Sequence, residues 1–195
     1  DAKERLDRLS KGLVDQIEAL SHIADEFTHF AQMPPAQPVD LDLSEVVRRA
    51  VSLYAQQPGT SVSLEGEQTL TVHIDPEHLL RILNNLIKNA LQAVPVGREG
   101  RVEVVLKDQG EEVVMEVHDN GEGISEGSRE RIFTPNFTTK SSGMGLGLSM
   151  VHRMVENAGG RVWFETATGK GTSFFVALPS KHAPDTFAQD DPLVQ

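Results

Sequence analysis

The chain of 195 residues contains no cysteine. Disulfides, thiolate catalysis and zinc-thiolate centres are therefore excluded, and the composition fits a reducing compartment. Positive charge is scarce. Lys and Arg number 18 against 29 Asp and Glu, a net charge of −11. A nucleic-acid surface needs clustered Lys and Arg, so no nucleic-acid partner is expected. An anionic ligand would have to be held by local dipoles and a metal, because the global field repels it. Long apolar runs are missing as well. No stretch approaches the roughly 18 residues of a membrane helix, and no secretory signal is visible. A cytoplasmic location without membrane contact is expected, although the chain could be the cytoplasmic part of an anchored protein. It begins at Asp1 inside a helical pattern, and reads as a piece of something longer.

What remains is enough for one packed core and an appendage. Residues 1–31 read as one helix, with Leu6, Leu9, Leu13, Ile17, Leu20 and Phe27 recurring at spacings of three and four. A stripe on so thin an element wants a partner helix, so homodimerisation through it is expected. A helix folded back on its own domain is the alternative. Met33-Pro34-Pro35-Ala36-Gln37-Pro38 ends the pattern, giving an N-terminal unit over 1–33 and a stiff linker over 34–39. A folded domain is expected over 40–179 and a disordered acidic tail over 180–195.

Within the domain, Ser44-Glu45 reads as the cap of a helix to about Gln57. Val62–Leu64 and Leu70–Ile74 alternate like strands. Asp75-Pro76 is an N-cap with Pro at the first helical position, and the helix to about Val94 turns Leu79, Leu80, Ile82, Leu83, Leu86, Ile87 and Ala90 inward. Arg101–Lys107 and Val113–His118 form a hairpin around Gln109-Gly110. Residues 120–144 read as a mobile loop. A helix from Leu146 is stopped by Gly159-Gly160. Arg161–Glu165 and Thr172–Leu178 close as strands. The pattern predicts an α+β, two-layer sandwich: a mixed sheet covered on one face by three helices, preceded by the long helix.

Four short segments carry candidate chemistry. Asn85 and Asn89 share one face of their helix, and the opposite face is apolar. Two amides facing a cleft offer neutral oxygens to a hard ion such as Mg²⁺; two solvent-exposed asparagines are the plainer reading. Asp119 ends a strand and precedes Asn120-Gly121-Glu122-Gly123-Ile124. A buried carboxylate there can accept a hydrogen bond from an adenine amino group, and Gly121 and Gly123 permit positive φ and a close approach. An ordinary Asp-Asn-Gly turn is the alternative. Gly143, Gly145 and Gly147 open a helix whose free N–H groups suit phosphates. Their spacing follows a polar loop, so it is not a Rossmann motif, and no Gly-Lys-Ser/Thr makes it a P-loop. Lys140, after Thr138 and Thr139, can reach terminal phosphates or stay solvated. Phe133 and Phe137 are expected to anchor this region to the core.

In this order and spacing, residues 85–90, 119–124, 133–140 and 143–148 resemble the asparagine, first glycine, phenylalanine and second glycine boxes of sensor histidine kinases. That family shares its Bergerat ATP-binding fold with DNA gyrase, Hsp90 and MutL. The resemblance covers residues 40–179. Residues 23–34 resemble the second helix of the dimerisation and phosphotransfer hairpin in NtrY-like sensor kinases. The resemblance implies ATP and ADP binding by Asn85, Lys88, Asn89, Asp119, Gly121, Gly123, Ile124, Thr139, Lys140, Gly143, Gly145, Leu146 and Gly147, with Mg²⁺ on Asn89. It implies γ-phosphoryl transfer to a histidine, and from there to the receiver domain of a response regulator. The related ATPases place a Glu base where this chain has Asn85, and an amide cannot accept a proton at neutral pH. The substitution favours a kinase over a hydrolase. None of the seven histidines is followed by an acid and then by Asn or Pro outside a strand, so the acceptor is expected outside this chain. The alternatives are an ATPase or chaperone-type module of the same fold, or a catalytically silent nucleotide-binding scaffold.

Overall fold

The computed structural model describes residues 35–55, 59–66, 69–140 and 144–181, together with positions 10, 12, 14 and 17. Apart from those four positions, the helix expected over 1–31 lies outside the described residues. So do Gly143 and residues 182–195.

Strand β1 (Val39–Asp42) leads straight into helix α1 (Leu43–Tyr54). The cap lies two residues earlier than the sequence suggests: Asp42, not Ser44, is the N-cap, and its carboxylate accepts the Ser44 N–H at 2.9 Å. The same Asp42 oxygen lies 3.4 Å from the Leu70 amide. One carboxylate thus joins strand end, helix start and the segment at Leu70. β2 spans Thr60–Glu65 and β3 spans Thr71–Ile74. Asp75 caps helix α2 (Pro76–Gln92), accepting from the Glu77 and His78 amides. β4 (Gly100–Asp108) and β5 (Glu112–Asp119) form the expected hairpin. At its turn the Asp108 carboxylate accepts the Gly110 N–H, with Gly110 at φ 83°. Helix α3 (Gly147–Asn157) ends in paired bonds from Gly159 N to Glu156 O and from Gly160 N to Val155 O. That is the six-to-one and five-to-two closure a Gly with φ 74° allows. β6 (Arg161–Ala167) and β7 (Gly171–Pro179) complete the domain.

The main sheet has five strands in the order β2-β4-β5-β7-β6, and only β2 and β4 run parallel. β3 does not join it. It pairs antiparallel with β1, Val39 opposite Ile74, in a small second sheet that the sequence reading folded into one. Helices and inward strand faces enclose a single core: Leu43, Val47 and Ala50 of α1; Leu79, Ile82, Leu83, Leu86 and Ile87 of α2; Val151, Met154 and Val155 of α3; Val104, Met115, Val117 and Val176 of the sheet. Each large side chain fully removed from water contributes about 1.5–3 kcal/mol. Leu80, expected inward, is 39% exposed. It lies one residue past Leu79 and so about 100° off the buried stripe. Ser180 and Lys181, assigned to the tail, are part of the domain. The Ser180 amide donates to Glu111 O, and Lys181 N to Thr71 O at 2.8 Å. Among the described residues, no helix is long and apolar enough to cross a membrane.

Candidate functional site

Asp119, at the C-terminal end of β5, is 1% exposed. Its Oδ1 accepts the Gly121 amide at 2.8 Å and the Thr172 amide at 3.2 Å. Burial pushes its pKa up from the usual carboxylate value, and those two amides, His118 and Lys140 oppose the rise. One oxygen is thus fixed by backbone donors, and the described residues give the other no hydrogen bond. A buried acceptor held in this way discriminates strongly for a donor.

The glycines around it are set by contact. A Cβ on Gly121 would stand 2.6 Å from the Ala93 carbonyl oxygen. Gly121 does not use a positive φ, so its role is close approach and not the backbone freedom expected for it. Gly123 does use one, φ 73°, with Ala167 O behind it at 2.4 Å from an added Cβ. Ile124, half-buried, donates its amide to Thr166 Oγ1 at 2.9 Å. Thr166 Oγ1 in turn donates to Gly171 O at 3.1 Å and lies 3.0 Å from Thr172 Oγ1. A Cβ on Gly171 would fall 1.8 Å from Asp119 O. Thr166, Gly171 and Thr172 therefore pack around Asp119, and all three lie outside the four motif segments. A signal is available in the sequence: Gly169-Lys170 is a turn, and Gly171-Thr172 opens the apolar strand that follows it.

The other end of the cleft is made by α2 and α3. The Asn85 amide group donates to Arg81 O at 2.9 Å, and its Oδ1 is so close to α3 that a Cβ on Gly147 would meet it at 2.6 Å. Asn85 thus occupies the gap where the two helices approach. Asn84, on the neighbouring face, accepts the Tyr54 hydroxyl at 2.8 Å. Asn89 Oδ1 accepts from the Lys140 ammonium at 3.0 Å, and Gln92 Oε1 accepts from it at 2.7 Å. Burial lowers the Lys140 pKa, and Asp119 works against that. Lys88 and Thr139 are exposed. Gly145, at φ 68°, lies against the Phe137 backbone, where an added Cβ would come within 2.3 Å of Phe137 O. Leu146 is buried at 3%, with its side chain in the core. It is the N-cap of α3, and no side chain caps that first turn.

Between the two ends, residues 120–140 are more ordered than a plain loop. A 3₁₀ helix spans Glu126–Arg131, and Ile132 is buried. Phe133 packs against His152, Phe164 and Phe174 at centroid distances of 5.4, 6.1 and 6.5 Å. Phe137 is half-buried under the Arg131 guanidinium. Both rings face the core, as expected.

The match to known proteins decides the family. Residues 74–182 fit the model of histidine kinase-, DNA gyrase B- and HSP90-like ATPases. The chain belongs to this family. Among its relatives, the sensor histidine kinase ZraS of Escherichia coli (strain K12) is 31% identical over 176 residues, 88% of this chain and 37% of ZraS. The nitrogen regulation protein NtrY of Azorhizobium caulinodans is 32% identical over 186 residues, 92% of this chain and 24% of NtrY. The chain thus spans well under half the length of these curated relatives. The catalytic domain of histidine kinase ThkA superposes with a TM-score of 0.66 at 30% identity, covering 73% of this chain and 95% of that one. ThkA solved in complex with the response regulator protein TrrA superposes at 0.71 and 25% identity, over 86% of this chain and 49% of ThkA. The ATPase-family domain described here is therefore a histidine kinase ATP-binding domain, in the α+β architecture of its relatives.

Proposed function

We propose that this ATP-binding domain serves a two-component sensor kinase. It delivers the ATP γ-phosphoryl to a histidine outside the chain, and the group passes on to an aspartate of a response-regulator receiver domain. The observation that carries the reading is the buried Asp119, one oxygen pinned by two amides and the other free for an adenine amino group. Guanine presents a carbonyl at that position, so two acceptors would face each other at a cost of roughly 1–3 kcal/mol or more.

Placement supports the remaining roles. Gly121, Gly123 and Ile124 let the base lie against backbone. Gly145, Leu146 and Gly147 turn α3's uncapped N–H groups toward phosphate. Asn85, Lys88 and Thr139 line the route between, and Lys140 is within reach of the terminal phosphates. Asn89 fits Mg²⁺: its amide oxygen already accepts from a cation. When bound with ATP, the ion neutralises phosphate charge. Catalysis by this chain is then positioning and charge placement. Asn85, where a hydrolase would need a proton acceptor, supports transfer over hydrolysis. Dimerisation through residues 1–33 is supported by the apolar stripe alone. The ATP requirement supports a cytoplasmic site of action.

Calorimetry with ATP, ADP and GTP tests the reading, joined to an assay of phosphate release. The expected result is Mg²⁺-dependent binding of both adenine nucleotides, no competition by GTP, no sustained hydrolysis and no self-labelling on His22 or His29. Equal competition by GTP would remove the Asp119 assignment. Steady phosphate release would support the ATPase alternative.

A further inference from the structure

Asn89 and Gln92 are close to one turn apart at the C-terminal end of α2 and turn their side-chain oxygens to the same cation. That cation is the Lys140 ammonium, reached from a segment 48 residues downstream of Gln92. The seat is built from neutral amide oxygens, the donor type a hard cation takes. It also lies where the helix dipole is negative. Gln92 lies outside the four motif segments, and no role above uses it.

We propose that Lys140 is the resident cation of this seat when no nucleotide is bound, and that a nucleotide-borne Mg²⁺ must displace it to reach Asn89. The inference rests on the nucleotide reading and deepens it by adding a regulatory exchange at the same site. An ammonium and a divalent ion cannot share Asn89 Oδ1, because two cations a few ångströms apart repel. Gln92 is a positioning residue in this exchange. It holds Lys140 in the empty form and has no part in the filled one. Apparent affinity for the metal nucleotide is then reduced by the fraction of time the seat is closed. Once released, Lys140 is free to face phosphate. One side chain thus occupies the empty site and serves the full one.

Gln92→Leu separates these two roles, since it removes the second acceptor and leaves Asn89 and Lys140 in place. Gln92 is exposed at the helix end, so the fold should survive. The first readout is acylation of lysines in the nucleotide-free chain, followed by mass spectrometry, with the exposed Lys170 as internal reference. Lys140 should react about three- to tenfold more slowly than Lys170 in the wild type, and at a similar rate in Gln92→Leu. The second readout is calorimetry with ADP. In the presence of Mg²⁺, Gln92→Leu should bind about three- to tenfold more tightly than wild type. Equal acylation of the two lysines in the wild type overturns the resident-cation assignment. Unchanged or weaker ADP·Mg²⁺ binding by Gln92→Leu overturns the displacement. A wild-type chain that binds no ADP at all overturns the nucleotide reading and the exchange with it, whatever the acylation shows.

Discussion

The two ends of the cleft are held by different kinds of bond. At the end proposed for the base, the backbone amides of Gly121, Ile124 and Thr172 donate to short side chains held on strands, the Asp119 carboxylate of β5 and the Thr166 hydroxyl of β6. At the end proposed for the phosphates, the long Lys140 side chain donates to the side-chain oxygens of Asn89 and Gln92, and the Asn85 side chain donates to the Arg81 carbonyl of its own helix. The first set cannot change without disturbing the sheet. The second can be exchanged for a ligand by rotating a few torsions. On the proposed roles, selectivity for the base is built in before a nucleotide arrives, whereas grip on the phosphates is made on arrival. A buried acceptor aimed by strands is preorganised and costs little at binding, while long cationic side chains lose rotamer freedom when they are fixed.

The largest effect that would break this contrast is expected from Asp119→Asn. Oδ1 can still accept the two amides, but a donor now faces the adenine amino group. ADP affinity should fall about 100-fold, near 2.7 kcal/mol, with the preference over GDP lost and with or without Mg²⁺ alike. Titrating the same group should mimic the variant. Because burial raises the Asp119 pKa, adenine-nucleotide affinity should decline as pH falls through that raised value. The sign for stability is opposite. A raised carboxyl pKa means the folded chain carries a cost when the group is ionised, so this group's contribution to stability improves on acidification. Calorimetry and thermal melts over one pH series check both directions.

A smaller effect is expected at the other end. Asn89→Ala should weaken ADP binding about tenfold when Mg²⁺ is present and leave metal-free binding unchanged. Equal losses with and without metal would merge the two ends and undo the comparison. The smallest effect is expected at the far end of the same helix. Asp75 caps α2 through the Glu77 and His78 amides, and its Oδ2 accepts from Gln37 N at 2.7 Å. Burial pushes the Asp75 pKa up, but the three amides and His78 outweigh it, and the net direction is down. Its stabilisation is therefore present above the usual carboxylate pKa and lost as pH falls through the lowered folded value. Asp75→Ala should cost about 1 kcal/mol of stability at neutral pH and leave nucleotide affinity untouched. Denaturant melts paired with ADP titration test this.

What the sequence announces is what is local. Asp75-Pro76 and an apolar period of three and four place α2. Gly110 places the hairpin turn, and Gly159-Gly160 the end of α3. What it hides depends on distant partners. β1 is four residues, Val39-Asp40-Leu41-Asp42, too short to stand out from a proline-rich linker, and it exists because Val39 finds Ile74. Gly121 reads as a turn glycine, yet its constraint is the Ala93 carbonyl of the helix before it. Thr172 reads as a strand start, and its amide becomes part of the site only when β7 pairs with β5. Gln92 is the plainest case. Nothing near it in the chain marks it, and its partner Lys140 comes from across the cleft. The motif segments themselves were legible because each carries several constraints at once: amides spaced by a turn, glycines at close approaches, rings anchored in the core.

Amide hydrogen exchange tests the central contrast most directly, read residue by residue with and without ADP·Mg²⁺. The Gly121, Ile124 and Thr172 amides should be protected in the nucleotide-free chain to the level of the β4–β5 hairpin, and gain little on binding. The Thr139, Lys140, Gly145 and Gly147 amides should exchange fast when free and slow when bound. Fast exchange at Gly121 and Thr172 in the free chain, with protection appearing there only with nucleotide, would mean that the base end is also assembled on arrival, and would contradict the account.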